Sequence, residues 1–333
     1  MKINVIGAGT WGITLASLLS KKADVVVWHR ASKESYKLSE TRIHPNLKNF
    51  KIPESISFTP DPNNLDFNNL TIIAIPSDAF VDVFENEFLN CKLENGKYLI
   101  ASKGFNADTS TTLLLSDTLQ MYHPIHTDNI AVISGPNHAE EIITGMASAT
   151  VIASSNVAYA KELQSLFSSD IFRVYTSKDV VGVQIGAAVK NIIAIASGLC
   201  VGLKLGDNTQ AALVSRGMNE MLQLKSIYNF DMKTLYGLSG LGDLIATCYS
   251  PHSRNRKLGI LIAEGYTLED ANMKIGMVSE GINACRIVCH ILDSHRRKID
   301  LPICNEVYKI LFENAEPSNC LNNLMTRNLK DEN

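Results

Sequence analysis

The sequence feature that most constrains the fold is a glycine-rich turn near the amino terminus. Gly7, Gly9 and Gly12 form the pattern G-x-G-x-x-G, which follows the apolar segment 3–6 and precedes a helical pattern over residues 14–21. In such a turn the first glycine permits the tight bend, the second lets a pyrophosphate approach the backbone, and the third lets strand and helix pack closely. The amino end of the helix then attracts the phosphates. This placement predicts a dinucleotide-binding site.

The first half of the chain alternates short apolar runs with helical patterns. Runs rich in Val and Ile predict strands over residues 2–6, 24–28, 70–75, 97–101, 130–133, 149–153 and 172–175. Such runs are typical of parallel strands buried on both faces, whereas the prolines and asparagines between residues 53 and 69 indicate a loop-rich excursion. The pattern predicts an α/β fold with a Rossmann-like, doubly wound, mostly parallel sheet.

Helical periodicity dominates the chain after about residue 179. Predicted helices cover residues 180–198, 208–225, 256–264, 267–275, 281–293 and 302–312. A chain of 333 residues also exceeds what one hydrophobic core usually organises. We therefore expect a dinucleotide-binding domain over residues 1–178 and an all-helical substrate-binding and catalytic domain over residues 179–333.

The composition argues against a disordered chain and against a polyanion-binding surface. Apolar residues make up 45% and charged residues 20% of the chain, as in globular proteins. The 31 Lys and Arg residues face 34 Asp and Glu residues, which gives a formal net charge of −3. No basic excess is therefore available to hold a nucleic acid or an anionic membrane.

The cysteines predict neither a metal site nor an oxidising compartment. Cys285 and Cys289 have the i, i+4 spacing of one helix face or of a metal edge. His290 and His295 follow them too closely for a zinc module, which needs about 12 residues between its ligand pairs. Scattered thiols are typical of a reducing compartment, and the first residues enter a strand without the pattern of a signal peptide. We therefore expect a cytoplasmic protein without a metal.

One segment, residues 185–203, is nearly long and apolar enough to cross a membrane. Lys190 lies well inside it, and a lysine at the centre of a span costs about 2.5 to 3.5 kcal/mol. The segment is therefore predicted to be a buried helix of a soluble protein and not a membrane insertion. A buried lysine is costly unless paired, and its neutral amine is more accessible, so Lys190 is a candidate general acid or base. The structural alternative is a lysine that reaches the surface or satisfies carbonyl groups.

Two further segments of the second half carry charged groups. Asp243 lies among the small residues 240–244, where its carboxylate could hold a lysine in position or cap a helix. Ser253, Arg254 and Asn255 stand at a predicted helix start. This run predicts a phosphate site, because arginine binds oxyanions bidentately and a helix amino end attracts anions. The alternative for such a basic run is a solvated face.

Three polar segments follow predicted strands, at the edge where open α/β sheets bind ligands. Lys103 and Gly135 follow two of these strands. Arg30 follows the second strand, where a strongly NAD-selective site places Asp or Glu. Its guanidinium favours a 2′-phosphate and can stack on adenine, although a solvated arginine is the alternative. We therefore expect NADPH to be accepted at least as readily as NADH.

These segments together resemble the bacterial form of the NAD(P)-dependent glycerol-3-phosphate dehydrogenase family. The resemblance covers nearly the whole chain and rests on eight motifs in the family's order. They are GAGTWG at 7–12, SKG at 102–104, GPNHA at 135–139, VKN at 189–191, GLKLGDN at 202–208, GLGDL at 240–244, SRNR at 253–256 and VSEG at 278–281.

The resemblance implies an activity and a role for each motif. It implies reversible reduction of dihydroxyacetone phosphate to sn-glycerol 3-phosphate, a phospholipid precursor, with NADPH or NADH and no metal. Lys190 corresponds to the general acid and base, Lys103 and Asp243 to its partners, and Arg254 and Asn255 to the phosphate grip. The implied substrate contacts are Lys103, Gly135, Asn137, Lys190, Asp243, Ser253, Arg254 and Asn255. The implied cofactor contacts are Gly7, Gly9, Thr10, Trp11, Gly12, His29, Arg30, Lys103, Ala139, Arg254, Val278 and Glu280.

The chain departs from the family pattern after Gly135. The family usually has a small hydroxyl residue and then Phe, where this chain has Asn137 and His138. Asn137 can still hydrogen-bond a ligand. His138 is either a neighbour of the nicotinamide or a plain polar replacement, and we favour the replacement.

Two other functions stay open at this point. A dehydrogenase of the β-hydroxyacid or 6-phosphogluconate type also uses a helix-borne Lys and Asn, but usually separates them, whereas Lys190 and Asn191 are adjacent. A catalytically silent NAD(P)-binding regulator would keep the fold but needs no proton donor. Helical second domains often support dimers, so we expect a homodimer. The expected binding partner is a small phosphorylated substrate, with no nucleic acid.

Overall fold

The computed structural model describes residues 1–106, 113–277, 279–295, 299–329 and 331–332. In this part of the chain a sheet forms first and helices follow. The strands are β1 (Lys2–Ile6), β2 (Asp24–Trp28), β3 (Ile56–Thr59), β4 (Leu70–Ile73), β5 (Lys97–Ile100), β6 (Ile130–Ser134), β7 (Ser148–Ala153) and β8 (Phe172–Ser177).

The helices fall into two groups. Those between the strands are α1 (Thr10–Leu19), α2 (Ser32–Thr41), α3 (Phe80–Asn86), α4 (Leu115–Tyr122), α5 (Ala139–Ile143) and α6 (Val157–Phe167). Those after the sheet are α7 (Val180–Gly202), α8 (Gly206–Gln223), α9 (Met232–Tyr236), α10 (Asp243–Tyr249), α11 (Arg254–Ala263), α12 (Leu268–Ile275), α13 (Glu280–His295), α14 (Pro302–Phe312) and α15 (Pro317–Met325).

The sheet has the strand order β3-β2-β1-β4-β5-β6-β7-β8. Every neighbouring pair is parallel except β6 and β7, which run antiparallel. The first six positions follow the doubly wound dinucleotide-binding order, and the direction of winding reverses between β1 and β4. The predicted Rossmann-like sheet is confirmed. Ligands bind such sheets outside the carboxyl ends of the strands, at this reversal point.

Each face of the sheet carries its own apolar core, which explains the continuous apolar runs. Within β1, Ile3 and Val5 contribute to one core and Ile6 to the other. Because both faces are covered, apolar side chains point to either side of the strand. The buried polar Asn4 of the same strand donates to Thr71 Oγ1 at 3.0 Å and to the Asp66 carbonyl oxygen at 2.9 Å. A third core surrounds α7.

The loop-rich interpretation of residues 53–69 was incomplete, because this region contains β3. The strand has only four residues between Pro53 and Pro60 and lies at the edge of the sheet. Proline is tolerated beside an edge strand, since one side of that strand donates no ladder hydrogen bonds. The surrounding prolines therefore concealed a real strand.

The helices were predicted less completely than the strands. Helix α1 begins at Thr10, four residues before the predicted start, and α9, α10 and α15 were not predicted. The segment expected to be a turn before Asp243 is a π-helical turn, Leu238–Gly242, that leads into α10. Glycine lowers helix propensity, but tertiary packing overrides that weak preference here.

Helix α7 forms the centre of the helical half, where α8, α10, α11 and α13 pack against it. It is long and apolar enough to cross a membrane, yet 89% of its most apolar 18-residue stretch is buried inside the protein. The predicted buried helix is thus confirmed. The helix crosses α11 at very short range, because a Cβ atom on Gly198 would lie 2.0 Å from the Arg256 carbonyl oxygen. This contact fixes the start of α11 relative to α7.

Candidate active site

A cavity of about 490 Å³ lies at the carboxyl edge of the sheet, beneath the helical half. Its size suits a small-molecule or cofactor site. Loops that follow β1, β4, β5 and β6 form one wall, and helices α7, α10, α11 and α13 form the other. The sequence-predicted residues that line it are Gly9, Thr10, Trp11, Lys103, Asn137, Ala139, Lys190, Asp243, Ser253, Arg254, Asn255 and Glu280.

The other predicted residues do not line the cavity itself. Gly7 and Gly12 shape the turn after β1, and the carbonyl oxygen of Gly135 accepts a hydrogen bond from Lys103. His29 and Arg30 follow β2 at the same edge of the sheet. Val278 lies outside the described residues.

The glycine-rich turn has the backbone geometry that its sequence predicts. Gly7 has a φ of +109°, and a Cβ on Gly12 would lie 2.0 Å from the Gly7 carbonyl oxygen. At Gly9 a Cβ would meet no atom within 4 Å, so this backbone is open to the cavity. Helix α1 starts directly afterwards, without a side-chain cap on its N–H groups. Uncapped helical N–H groups beside an open glycine form an anion site.

The indole of Trp11 offers a second indication of a ligand-binding site. Its Nε1 atom is buried, and no acceptor for it lies among the described residues. Trp11 also lines the cavity. A buried donor without a partner costs roughly 1 to 3 kcal/mol and calls for an explanation. Together with the uncapped helix, this orphan donor fits a bound dinucleotide.

Lys190 reaches the cavity from the middle of α7. The residue is only 4% exposed, and its ammonium group donates to the Asp243 carboxylate through Oδ1 and to Thr247 Oγ1 at 2.8 Å. Both partners lie on α10, one helical turn apart. The structural alternative, a lysine that reaches the surface or only satisfies backbone carbonyl groups, therefore does not describe Lys190. It is held between an acid and a hydroxyl.

The Asp243 carboxylate is shared by two lysines. Its Oδ2 atom accepts from Lys103 Nζ at 2.8 Å and from Ser134 Oγ at 3.3 Å. Lys103 Nζ also donates to the Gly135 carbonyl oxygen at 3.1 Å. Because α10 begins at Asp243 and both carboxylate oxygens bind other side chains, the helix-cap alternative was wrong. The three charged groups are called the ionic trio below: Lys103, Lys190 and Asp243.

Burial and charge act in opposite directions on the ionic trio. Desolvation, helped by the nearby charge of Lys103, lowers the pKa of Lys190 to about 7, although Asp243 opposes the shift. Burial alone would raise the pKa of Asp243, but the two lysines outweigh it and hold that pKa below its ordinary value. The trio therefore has one acid that stays ionised and one lysine that can exchange a proton near neutral pH.

The amino end of α11 is aligned with the cavity by a chain of buried amides. Asn255 donates to Asn191 Oδ1 at 2.9 Å, and the Asn255 Oδ1 atom accepts from the Gly281 N–H at 3.0 Å. Ser253 caps the helix by accepting from the Arg256 N–H. Arg254, the first residue of α11, lines the cavity. A solvated face does not describe this run, because Ser253 and Asn255 are buried.

Glu280 connects the start of α13 with the loop after β4. Its carboxylate accepts from the Ser77 N–H at 3.1 Å and from the Ser77 hydroxyl. Burial raises the pKa of Glu280 to about 7, against the hydrogen bonds from Ser77. This contact joins the two halves of the chain beside the cavity.

The two residues that depart from the family pattern occupy different environments. Asn137 donates to Ser148 Oγ at 2.9 Å and to the Ala149 carbonyl oxygen at 3.1 Å, so its amide is anchored on β7. His138 lines the cavity, with its ring centroid 5.9 Å from that of His252. Burial lowers the pKa of His138. A neutral imidazole is therefore favoured there.

Sequence reasoning missed several residues of this site, among them Thr247, Ser77 and His252. Thr247 contacts Lys190, Ser77 contacts Glu280, and His252 lines the cavity next to His138. The spacing of Thr247, four residues after Asp243, was a usable signal once α10 was recognised as a helix. Ser77 gave no such signal, because its partner lies 203 residues away.

Comparison with known proteins gives matches over nearly the whole chain. The protein-family model described as NAD-dependent glycerol-3-phosphate dehydrogenase N-terminus matches residues 2–160. The family model described as NAD-dependent glycerol-3-phosphate dehydrogenase C-terminus matches residues 179–322. A glycerol-3-phosphate dehydrogenase (NAD(P)+) from Thermoanaerobacter sp. strain X514 is 38% identical over 334 residues, which cover 100% of this chain and 99% of the relative. The crystal structure of glycerol-3-phosphate dehydrogenase from Coxiella burnetii matches with a TM-score of 0.89 at 32% identity, covering 98% of this chain and 99% of that chain.

We expect Asp243→Asn to lower the free energy of unfolding by about 3 kcal/mol at pH 7, because Lys103 and Lys190 lose their shared counter-charge. Urea unfolding measures the change. The control is Glu162→Gln, which removes the acid of the exposed Lys97–Glu162 pair and should cost less than about 1 kcal/mol. Equal losses in the two variants would contradict a special role for the buried carboxylate.

Proposed function

The chain belongs to the NAD-dependent glycerol-3-phosphate dehydrogenase family, and from that premise we propose how its own residues carry out the reaction. The enzyme is an oxidoreductase that reduces dihydroxyacetone phosphate to glycerol 3-phosphate with NADH or NADPH. The observation that supports the residue roles best is the placement of Lys190. Its ammonium group lies in the cavity between the glycine-rich turn and the start of α11, held by Asp243.

Lys190 is the proposed general acid in the reduction. A nicotinamide cofactor, when held by the glycine-rich turn, would supply the hydride for the carbonyl carbon, so that negative charge would develop on the carbonyl oxygen. Lys190 Nζ donates a proton to that oxygen, so that the product is a neutral hydroxyl and the amine is left neutral. In the reverse direction the neutral amine accepts the hydroxyl proton. A pKa near neutrality serves both directions, because each protonation state is accessible.

Lys103 and Asp243 are proposed to position Lys190 and to stabilise the developing charge. Asp243 fixes the ammonium group in the cavity, while Lys103 gives the ionic trio a net positive charge. A preorganised positive charge in a buried site stabilises an oxyanion more than water does. The trio therefore favours the transition state of ketone reduction. A regulator that only binds a dinucleotide would need no such arrangement.

The substrate phosphate is proposed to bind at the start of α11. Arg254 lines the cavity at this helix end, beside Ser253 and Asn255. A remote phosphate grip orients the carbonyl group against the nicotinamide, so its binding energy supports turnover as well as affinity. Gly135 and Asn137 remain proposed substrate contacts on the facing loop.

The cofactor is proposed to extend from the glycine-rich turn toward Glu280. Gly7, Gly9 and Gly12 shape the backbone for a pyrophosphate, and the orphan Trp11 indole offers a hydrogen bond. The other proposed contacts are Thr10, His29, Arg30, Lys103, Ala139, Arg254, Val278 and Glu280. NADPH is expected to bind at least as readily as NADH, because Arg30 can pair with a 2′-phosphate.

The larger organisation is also proposed. The last sheet strand ends at Ser177 and α7 begins at Val180, which supports a division into domains over residues 1–178 and 179–333. The seven unpaired thiols support a cytoplasmic location, because structural disulfides are rare in reducing compartments. A homodimer is the proposed assembly.

We expect the enzyme to oxidise NADH and NADPH with dihydroxyacetone phosphate and to show almost no turnover with dihydroxyacetone. The phosphate supplies the orientation that the reaction needs, so its loss lowers kcat as well as raising KM. Absorbance of the reduced nicotinamide follows the reaction. Comparable kcat values for the two substrates would contradict the proposed phosphate grip.

We expect Lys190→Met to lower kcat at least about a hundredfold, because it removes the general acid. Binding of NADPH, measured by fluorescence, should stay within about twofold of the parent, which also shows that the variant is folded. The matched control is Lys233→Met, which removes an exposed lysine of α9 and should leave kcat unchanged. Retained turnover in Lys190→Met would refute the assigned role.

A further inference from the structure

Arg30 is held by two carboxylates at the edge of the proposed cofactor site. Its Nη1 atom lies 2.6 Å from Asp82 Oδ2, and its Nε atom lies 3.0 Å from Glu87 Oε1. Arg30 follows β2, whereas Asp82 lies on α3 and Glu87 directly after it. Helix α3 follows β4, and β1 lies between β2 and β4 in the sheet. The ion pairs therefore span the edge of the sheet beside the glycine-rich turn that follows β1.

The three groups carry a net charge of −1, in spite of the arginine. The Arg30 guanidinium, together with the Asn86 amide that donates to Asp82 Oδ1 at 2.6 Å, holds the pKa of Asp82 below its ordinary value. The Asp82 carboxylate is therefore ionised at neutral pH. The side chains of Arg30 and Asp82 are 43% and 53% exposed, so a ligand can reach them.

We propose that Asp82 and Glu87 set the preference between NADH and NADPH by competing with the 2′-phosphate for Arg30. This inference rests on the proposed cofactor site. A free arginine at this position would favour the phosphate strongly, since guanidinium and phosphate form bidentate pairs. Here the 2′-phosphate must displace the two carboxylates from Arg30 or share the arginine with them. NADH carries a hydroxyl group and no charge at that position, so it does not compete for Arg30.

The proposal also explains why the end of β2 lacks an acidic residue. NAD sites usually place Asp or Glu there, to accept a hydrogen bond from the ribose hydroxyl and to repel the 2′-phosphate. In this chain the acidic groups come from α3 and its end, on the other side of β1. Arg30 and the two carboxylates together thus permit both cofactors, and the carboxylates limit the advantage that Arg30 alone would give NADPH.

The test is the ratio of the Kd of NADH to the Kd of NADPH, measured by fluorescence titration of the full-length protein. Asp82→Asn and Glu87→Gln should each raise this ratio about fivefold, and the double variant more than about tenfold, through tighter binding of NADPH. The increase should shrink as the salt concentration rises, because these groups are exposed. The matched control is Glu85→Gln, which removes the same charge from the exposed face of α3 without touching Arg30.

Three outcomes separate the possibilities. A ratio that rises in the two test variants and stays constant in Glu85→Gln supports the proposal. An unchanged ratio in the two test variants overturns the proposal, because the contacts with Arg30 then have no effect on cofactor preference. An equal rise in Glu85→Gln also overturns it, because the effect then comes from the charge of α3 in general. Failure of the parent protein to bind either cofactor would refute the proposed function instead, and no variant is needed to see it.

Discussion

The site depends on one buried carboxylate that two lysines share. Lys103 comes from the loop after β5, whereas Lys190 and Asp243 come from two helices of the second half. Such a group of charges is costly to bury and is stable only when each member is paired. The ionic trio therefore requires the sheet and the helices to meet in one arrangement. The same arrangement places the exchangeable proton of Lys190 in the cavity.

Other contacts support this arrangement, one between the two halves and one within the helical half. Glu280 binds Ser77 across the cavity edge, and the amides of Asn191 and Asn255 align α7, α11 and α13. Ser77, Asn191 and Asn255 are buried and polar, so each loses stabilisation if its partner moves. The chain has a net charge of −3, yet the groups that face the proposed phosphorylated ligands include Lys103, Lys190 and Arg254. Local placement of charge, and not the total, thus governs recognition.

The sequence predicted the fold, the glycine-rich turn and the central lysine of the site, because their signals are local. The glycine pattern at residues 7–12 stands between a strand pattern and a helix pattern, and Lys190 is a charge inside an apolar helix. Pairing between distant residues could not be predicted. The two carboxylates on Arg30, at positions 82 and 87, and the contact of Ser77 with Glu280 depend on how elements meet in space. The short edge strand β3 was missed for a different reason, since its flanking prolines also fit a loop.

The central claim is that Lys190 carries the proton of the reaction, and the pH dependence of kcat in both directions tests it most directly. Reduction needs the ammonium form, so kcat for dihydroxyacetone phosphate should fall as pH rises through the pKa of Lys190 in the complex. Oxidation needs the neutral amine, so kcat for glycerol 3-phosphate should rise over the same interval. Opposite slopes around neutral pH would support the account. Slopes of the same sign, or flat profiles between about pH 5.5 and 9, would contradict it.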